Sequence, residues 1–439
     1  MERIAIIADD LTGANDTGVQ FCQHGFRTLV IIDADTIGQV GGEKEVLAIN
    51  TDTRHLTAKE AYQRVYDIAL KLKATGISRI YKKIDSTLRG HPGAELEAVM
   101  DAWPADLALL VPAFPANRRV VQQGYLIINE NTGAAVTSED NGITVGESAS
   151  CHVPTILQQE MQRRVGQVDL ATVRRGAAAL ITALEAAQKT SQVLVLDAAS
   201  EDDLQIIARA IGQLPRSVVV AGAAGLAAHL NLAWDLKPAP PFSLRQEGVV
   251  LLVAGSRNPV TARQVQRLAT FSSCQPVLVN TAAILAGAAR EEVERVLQEA
   301  GKLAAGKGPL MITVASMFQG KPACRESVPA ATGNENSNHG NGGKAIAAAL
   351  GTITARLLAM YKVKGLVVTG GDTAVHVCRS LSARGISLAT ELLPGIPLGY
   401  LEGGPAAGLP IVTKAGGFGP PEAFIKVFQY LSRTENQNP

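Results

Sequence analysis

Ile4-Ala5-Ile6-Ile7-Ala8 runs directly into Asp9-Asp10-Leu11-Thr12-Gly13-Ala14. A short apolar, isoleucine-rich run bounded by polar residues reads as a strand buried on both faces. The acid pair and the glycine after it mark the strand's end and the opening of a helix, expected over 13–24. A strand that stops on two carboxylates is costly unless they meet hydroxyls, a cation or a basic neighbour. Adjacent residues on extended chain point to opposite faces, so only one of Asp9 and Asp10 need line a ligand cleft.

Outward from this stretch the same alternation repeats. Strands are expected at 28–33, 46–50, 79–84, 107–112, 192–197 and 217–221, with helices at 57–75, 94–101, 172–189 and 200–212, while 125–153 reads as hairpin or loop. Strand–helix alternation of this kind builds βαβ units around a parallel sheet. The proline-rich stretch 237–245 (KPAPPFSLR) reads as a linker. Beyond it a second run carries expected strands at 249–254, 275–279, 310–314, 365–369 and 409–413. At 439 residues the chain exceeds one hydrophobic core. The expected architecture is therefore α/β with two domains, 1–236 and 246–439, each a mostly parallel Rossmann-like sheet flanked by helices, with an active-site cleft between them. The polar, Gly/Asn-rich stretch 319–344 reads as a flap or a disordered loop.

Composition narrows the function. Hydrophobic residues make up 46% and charged residues 18%, and 41 basic against 40 acidic residues leave a formal charge of +1. No basic excess points to a nucleic-acid partner. Five scattered cysteines (22, 151, 274, 324 and 378) without a CxxC pair read as reduced thiols. No stretch reads as a signal peptide or a membrane span, so a cytoplasmic enzyme is expected.

Ligands of open parallel sheets bind beyond the carboxyl ends of strands, where helix N-termini offer unpaired N–H groups. Three strand ends in the second half carry glycine: Gly255-Ser256-Arg257-Asn258-Pro259, Gly370-Gly371-Asp372-Thr373, and Ala415-Gly416-Gly417-Phe418-Gly419, with Pro420 opening the next helix. One such turn is often turn geometry alone; three in one domain point to a nucleotide phosphate site. The Walker-like spacing of 301–308 (GKLAAGKG) lacks the Ser/Thr that would meet magnesium, and reads as a helix end. No GxGxxG follows the first strand, which disfavours a dinucleotide-dependent dehydrogenase.

The first half offers charge. Lys82-Lys83-Ile84-Asp85-Ser86-Thr87-Leu88-Arg89-Gly90 gathers two lysines, an aspartate, two hydroxyls and an arginine at a strand end, and Thr53-Arg54 follows another. Such a group can clamp a carboxylate and polar hydroxyls together. The plainer alternative is a solvated loop with local salt bridges. His55, His91 and His376 lie near these loops, and no pair has metal-ligand spacing.

The motifs 8–14 (ADDLTGA), 82–90, 112–115 (PAFP), 370–373, 393–399 (LPGIPLG) and 414–419 (KAGGFG) resemble the four-carbon acid sugar kinases over nearly the whole chain. The KKIDSTLRG form resembles the D-threonate kinases more than the 3-oxo-tetronate kinases. The resemblance implies an acid-sugar-binding N-terminal domain, an ATP-binding C-terminal domain and transfer to the terminal hydroxyl, D-threonate to 4-phospho-D-threonate. L-threonate, D-erythronate and 3-oxo-tetronate remain alternatives, and a non-catalytic sugar-acid sensor or a dehydrogenase are the readings of another class. By position it implies Asp9, Arg54, Lys82, Lys83, Ile84 and Asp85 as substrate contacts, joined by Arg89 from the charge cluster. Ser256, Gly370, Gly371, Asp372, Thr373 and Gly416 are the implied nucleotide contacts, joined by Gly417 from the third glycine turn. Magnesium would be held through the phosphates, with no protein metal-ligand set. Asp372 is the first candidate for general base and Asp9 the second. A homodimer is allowed but not decided by the sequence.

Overall fold

The computed structural model describes residues 3–39, 45–103, 105–128, 137–138, 143–144, 152–215, 217–234, 247–303, 308–314 and 336–432. The chain divides into two compact units, Met1–Pro240 and Pro241–Pro439. The linker expected at 237–245 lies outside the described residues, as do Cys151 and Cys324.

Unit one is built on eight parallel strands: β1 (Ile4–Ala8), β2 (Thr28–Ile31), β3 (Val46–Asn50), β4 (Arg79–Lys83), β5 (Leu107–Val111), β10 (Val165–Val168), β11 (Val193–Leu196) and β12 (Val218–Gly222). Between β5 and β10 the chain forms two hairpins, β6 (Arg119–Gln122) with β7 (Tyr125–Ile128) and β8 (Thr137–Ser138) with β9 (Ile143–Thr144). The lateral order of the sheet is β10-β11-β5-β12-β4-β1-β3-β2. All of β1 is buried, as an interior strand of a helix-covered parallel sheet must be. The chain leaves β1 toward β3 and β2, then returns to place β4 on the other side. The crevice between β1 and β4 is thus a topological switch point.

Two local expectations need correction. A single helix over 172–189 is instead Leu170–Val173 and Ala177–Ala187, because Gly176 at φ +97° breaks the run. The helix expected from Gly13 starts earlier, as Leu11–Gln23, because Asp10 caps it with Oδ1 accepting from Gly13 N at 2.7 Å.

Unit two contains β13 (Val249–Ala254), β14 (Val277–Val279), β15 (Leu310–Val314), β16 (Val363–Thr369), β17 (Gly385–Leu393), β18 (Ile396–Glu402) and β19 (Pro410–Lys414), in the order β17-β18-β19-β16-β13-β15-β14. The β13 strand has its own switch point, with β15 on one side and β16 on the other. The hairpin β17–β18 is antiparallel, and β18 joins β19 antiparallel. Its alternation was not evident beforehand because Pro394-Gly395 and Pro397 break up the apolar runs. Part of the stretch expected as a flap is helical: Asn336–Met360 carries helix back through Lys344, while 319–335 lies outside the described residues. The segment Gly342–Met360 is apolar and long enough to cross a bilayer. In this fold it packs against the helices Thr281–Leu285, Ala289–Leu303 and Gly371–Ser380. The Walker-like spacing begins inside the last turn of Ala289–Leu303, a helix end and not a strand-to-helix loop.

Candidate functional site

In unit one the parallel register sets Ala8 beside both Asn50 and Lys83. Asp9, Thr51 and Ile84 therefore leave the sheet abreast at its carboxyl edge. Arg54 gathers the acids there. Its Nε donates to Asp9 Oδ2 at 2.8 Å, Nη1 meets Asp10 Oδ2 at 2.9 Å and Nη2 meets Asp85 Oδ1 at 3.4 Å. Both acids of the pair reach this one guanidinium. Strand alternation does not separate them, because β1 ends at Ala8 and Asp10 is already a helix cap. Arg89 forms a two-pronged pair with Asp85, both contacts at 3.0 Å.

The two lysines part company. They sit on successive residues of β4 and so face opposite sides of the sheet. Lys82 is fully buried, with Nζ 2.6 Å from Glu95 Oε2 and donating to the carbonyls of Lys83 (2.7 Å) and Ile7 (3.3 Å). Glu95 accepts in turn from Thr53 Oγ1 at 2.8 Å, which bonds Thr51 Oγ1 at 2.7 Å. In this conformation the Lys82 ammonium is committed beneath the site rather than offered to a ligand. Lys83 lies on the Gly13 side. A Cβ at Gly13 would stand 2.9 Å from Lys83 Nζ and 2.8 Å from Asp10 Oδ1, so only glycine lets these groups close in.

The electrostatics follow from burial and these neighbours. Burial pushes the Asp9 carboxyl up, but Arg54, Lys83 and Lys82 outweigh it, and its pKa is lowered. Burial, helped by the charge of Asp9, raises Asp10 in spite of Arg54. Asp85 is also buried, yet Arg89 and Arg54 hold it well below the carboxylate range. Burial alone would lower Lys83; Asp16, Asp9, Asp10 and Asp85 together raise it. Asp9 Oδ1 is buried and, among the described residues, accepts no hydrogen bond. An ionised carboxylate with one oxygen held by arginine and the other unsatisfied is suited to a hydroxyl donor.

In unit two Ala254, Thr369 and Lys414 are Cα partners across β13, β16 and β19. Gly255, Gly370 and Ala415 thus emerge side by side, and the three glycine turns become one edge. They are tightly fitted. A Cβ on Gly255 would lie 2.1 Å from Thr373 Oγ1, and one on Gly416 would lie 2.2 Å from Ser256 Oγ. Gly370 bonds Lys414 O through its N–H at 3.1 Å and opens the helix Gly371–Ser380, with exposed Asp372 in its first turn. Phe418 sits against the Gly395 turn between β17 and β18, where a Cβ would be 2.3 Å from its ring. The helix after this loop starts at Ala423 rather than Pro420. Thr369 Oγ1 is buried at this edge and, among the described residues, has no hydrogen-bond partner.

Residues 4–230 match the profile of a sugar-binding N-terminal domain, and residues 251–424 that of a nucleotide-binding C-terminal domain. The chain is 35% identical over 437 residues to a D-threonate kinase of Bordetella bronchiseptica, covering 98% of this chain and 97% of that one.

The chain belongs to the four-carbon acid sugar kinase family.

Other relatives of this kinase family include a D-threonate kinase of Salmonella typhimurium (31% identical, 98% of each chain) and a D-erythronate kinase of Heliobacterium modesticaldum (30%, 98% of this chain and 97% of that one). Among solved structures, one from Salmonella typhimurium LT2 has a TM-score of 0.75 at 24% identity, covering 97% of this chain and 99% of that one. A Haemophilus influenzae protein has a TM-score of 0.68 at 19%, covering 97% and 100%. Both share the fold. Membership in a kinase family leaves the dehydrogenase alternative without support.

Within unit one the fold brings Asp9, Arg54, Lys83, Asp85 and Arg89 into one cluster, with Ile84 buried beside it and Lys82 underneath. It likewise joins Ser256, Gly370, Thr373 and Gly416, with Gly417 near Asn258. Sequence reasoning missed Glu95 and Lys414. Glu95 lies in a plain helical stretch and Lys414 heads the KAGGFG motif without an assigned role; both are buried, and only their partners show what they do. None of Cys22, Cys274 and Cys378 is in a disulfide.

Proposed function

We propose that the protein transfers the γ-phosphoryl group of ATP to the terminal 4-hydroxyl of D-threonate, giving 4-phospho-D-threonate. The observation that carries this reading is the unit-one cluster: cations packed around a carboxylate whose free oxygen, Asp9 Oδ1, is buried and unsatisfied. A short acid sugar supplies both complements, a carboxylate for the basic groups and hydroxyls for Asp9. A neutral sugar would leave the cations to the protein's own acids. The D-threo choice rests on the D-threonate kinases among the relatives and on the KKIDSTLRG form of the loop.

The glycine edge of unit two fits a nucleotide's phosphates. It combines a helix N-terminus at Gly371, close backbone approach at Gly255 and Gly416, and a buried hydroxyl, Thr369 Oγ1, with an unused hydrogen bond. Magnesium bound with ATP would neutralise charge on the phosphates. Arg54 and Lys83 orient the acceptor's carboxylate. Asp372, in the first turn of the helix after the glycine pair, is the proposed general base. Asp9, held ionised by Arg54, is the second candidate.

The test is ADP release with D-threonate, L-threonate, D-erythronate and 3-oxo-tetronate side by side, compared by kcat/KM. D-threonate is expected to be best. A different winner overturns the substrate, and no release above the rate with water overturns the activity.

A further inference from the structure

The lysine of KAGGFG is a buried cation that the reaction as described does not use. Lys414 is 1% exposed. Its Nζ donates to three carbonyls of the loop that follows it: Ala415 at 2.6 Å, Gly416 at 3.0 Å and Phe418 at 3.0 Å. An ammonium has three hydrogens, and all three are used here. The helix Pro259–Ser272 pulls on the same loop. Thr261 Oγ1 donates to Gly416 O at 2.7 Å, and Gln264 Nε2 reaches the carbonyls of Phe418, Gly419 and Pro420 at 3.0, 3.1 and 2.9 Å.

Peptide planarity turns these bonds into a statement about the other face of the loop. In a trans peptide the carbonyl of one residue and the N–H of the next point in opposite directions. With the Ala415, Gly416 and Phe418 carbonyls drawn inward, the N–H groups of Gly416, Gly417 and Gly419 face away from the core. No hydrogen bond from the N–H of Gly416 or Gly417 is found among the described residues. Successive outward N–H groups make a concave anion site. The small residues at 415–417 leave it open to a phosphate.

We propose that Lys414 is the positioning residue for ATP binding, fixing the 415–419 loop with its N–H groups presented to the phosphates. This rests on the assignment of the nucleotide to unit two. Lys414 does not touch ATP in this scheme; it acts through the loop. The Thr261 and Gln264 side chains share the carbonyls of Gly416 and Phe418 with the ammonium, and the Phe424 ring lies 5.6 Å from Nζ. Among the described residues no carboxylate shifts its titration; burial alone draws it down, to about 7. As pH rises past that value the amine keeps two hydrogens for three carbonyls. The loop then loses a tie, and ATP binding weakens.

The experiment compares wild type, Lys414→Met and Gln264→Leu by KM for ATP and for the acid sugar, between about pH 6 and about pH 9. Lys414→Met is expected to raise KM for ATP roughly tenfold or more, with KM for the acid unchanged, and to abolish the rise of KM for ATP with pH that is expected of wild type. Gln264→Leu should raise KM for ATP less and keep the pH dependence. A folded Lys414→Met with wild-type KM for ATP, or with the pH dependence intact, overturns the proposal. If Lys414→Met does not fold, a flat wild-type profile together with an unchanged KM in Gln264→Leu overturns it equally. Gly417→Val separates this from the underlying assignment. The nearest atom to a Cβ there is Asn258 Nδ2 at 3.4 Å, so the fold tolerates the side chain while a phosphate does not. If Gly417→Val leaves ATP binding intact, the nucleotide assignment fails. If it abolishes binding while Lys414→Met does not affect it, only the role of Lys414 fails.

Discussion

Arg54→Ala should weaken the fold and the acid-sugar site together and leave ATP binding alone. The side chain is 14% exposed and meets three carboxylates at 2.8, 2.9 and 3.4 Å. Removing one partner of a buried ion cluster costs about 3–5 kcal/mol, because the other charges stay behind. Here Lys83 remains near the acids, and Asp10, already raised by burial, can take up a proton. The lower end, about 3 kcal/mol, is the expected loss. For a unit of this size that lowers Tm by roughly 6–12 °C. The deficit has a definite pH dependence. Asp9 and Asp85 have folded pKa values below their ordinary ones, so their contribution is complete above the ordinary carboxylate value and fades as pH falls through the folded value. The gap between wild type and variant should therefore be widest near neutrality and narrow in acid. Thermal unfolding across pH gives the stability, and steady-state kinetics gives KM for the acid, expected to rise about tenfold or more for the loss of a charge-assisted contact. A variant with wild-type Tm and wild-type KM for the acid, or one in which only KM for ATP moves, would refute this account of the cluster.

Lys82→Met should destabilise unit one by about 3–5 kcal/mol by stranding Glu95; adding Glu95→Gln should recover much of it, and failure to recover in urea unfolding would deny the pair its structural role. Gly255→Ala puts a Cβ 2.1 Å from Thr373 Oγ1; it should cost about 1–3 kcal/mol by overpacking and sharply reduce ADP affinity, and unchanged calorimetric binding would show that this turn does not shape the phosphate edge. Asp372→Asn should lower kcat roughly 10²–10⁴-fold with nucleotide affinity nearly intact; near-normal turnover transfers the role to Asp9, whose Asn variant must then show the loss.

The alternation of short apolar runs with helical stretches was legible from the first residues. Its periods are local properties of the chain, and Ile4–Ala8, Val46–Asn50 and Val249–Ala254 became strands as read. Which turns carried glycine and where acids and bases clustered were equally plain. The hairpin of β17 and β18 was not, because its prolines and glycine interrupt the alternation on which strand recognition depends. Lateral strand order was beyond the sequence as well, since it depends on which helices cover which face of the whole sheet. That order sets Ala254, Thr369 and Lys414 in one line and makes a single edge of three separate turns. The tertiary structure also decided the fates of neighbours that look alike. Lys82 and Lys83 are equivalent in the sequence, but the pleat of β4 turns one into a buried pair with Glu95 and the other toward Asp16 and Asp9. A charged side chain's role is set by what lies across from it, and that is fixed only when distant strands meet.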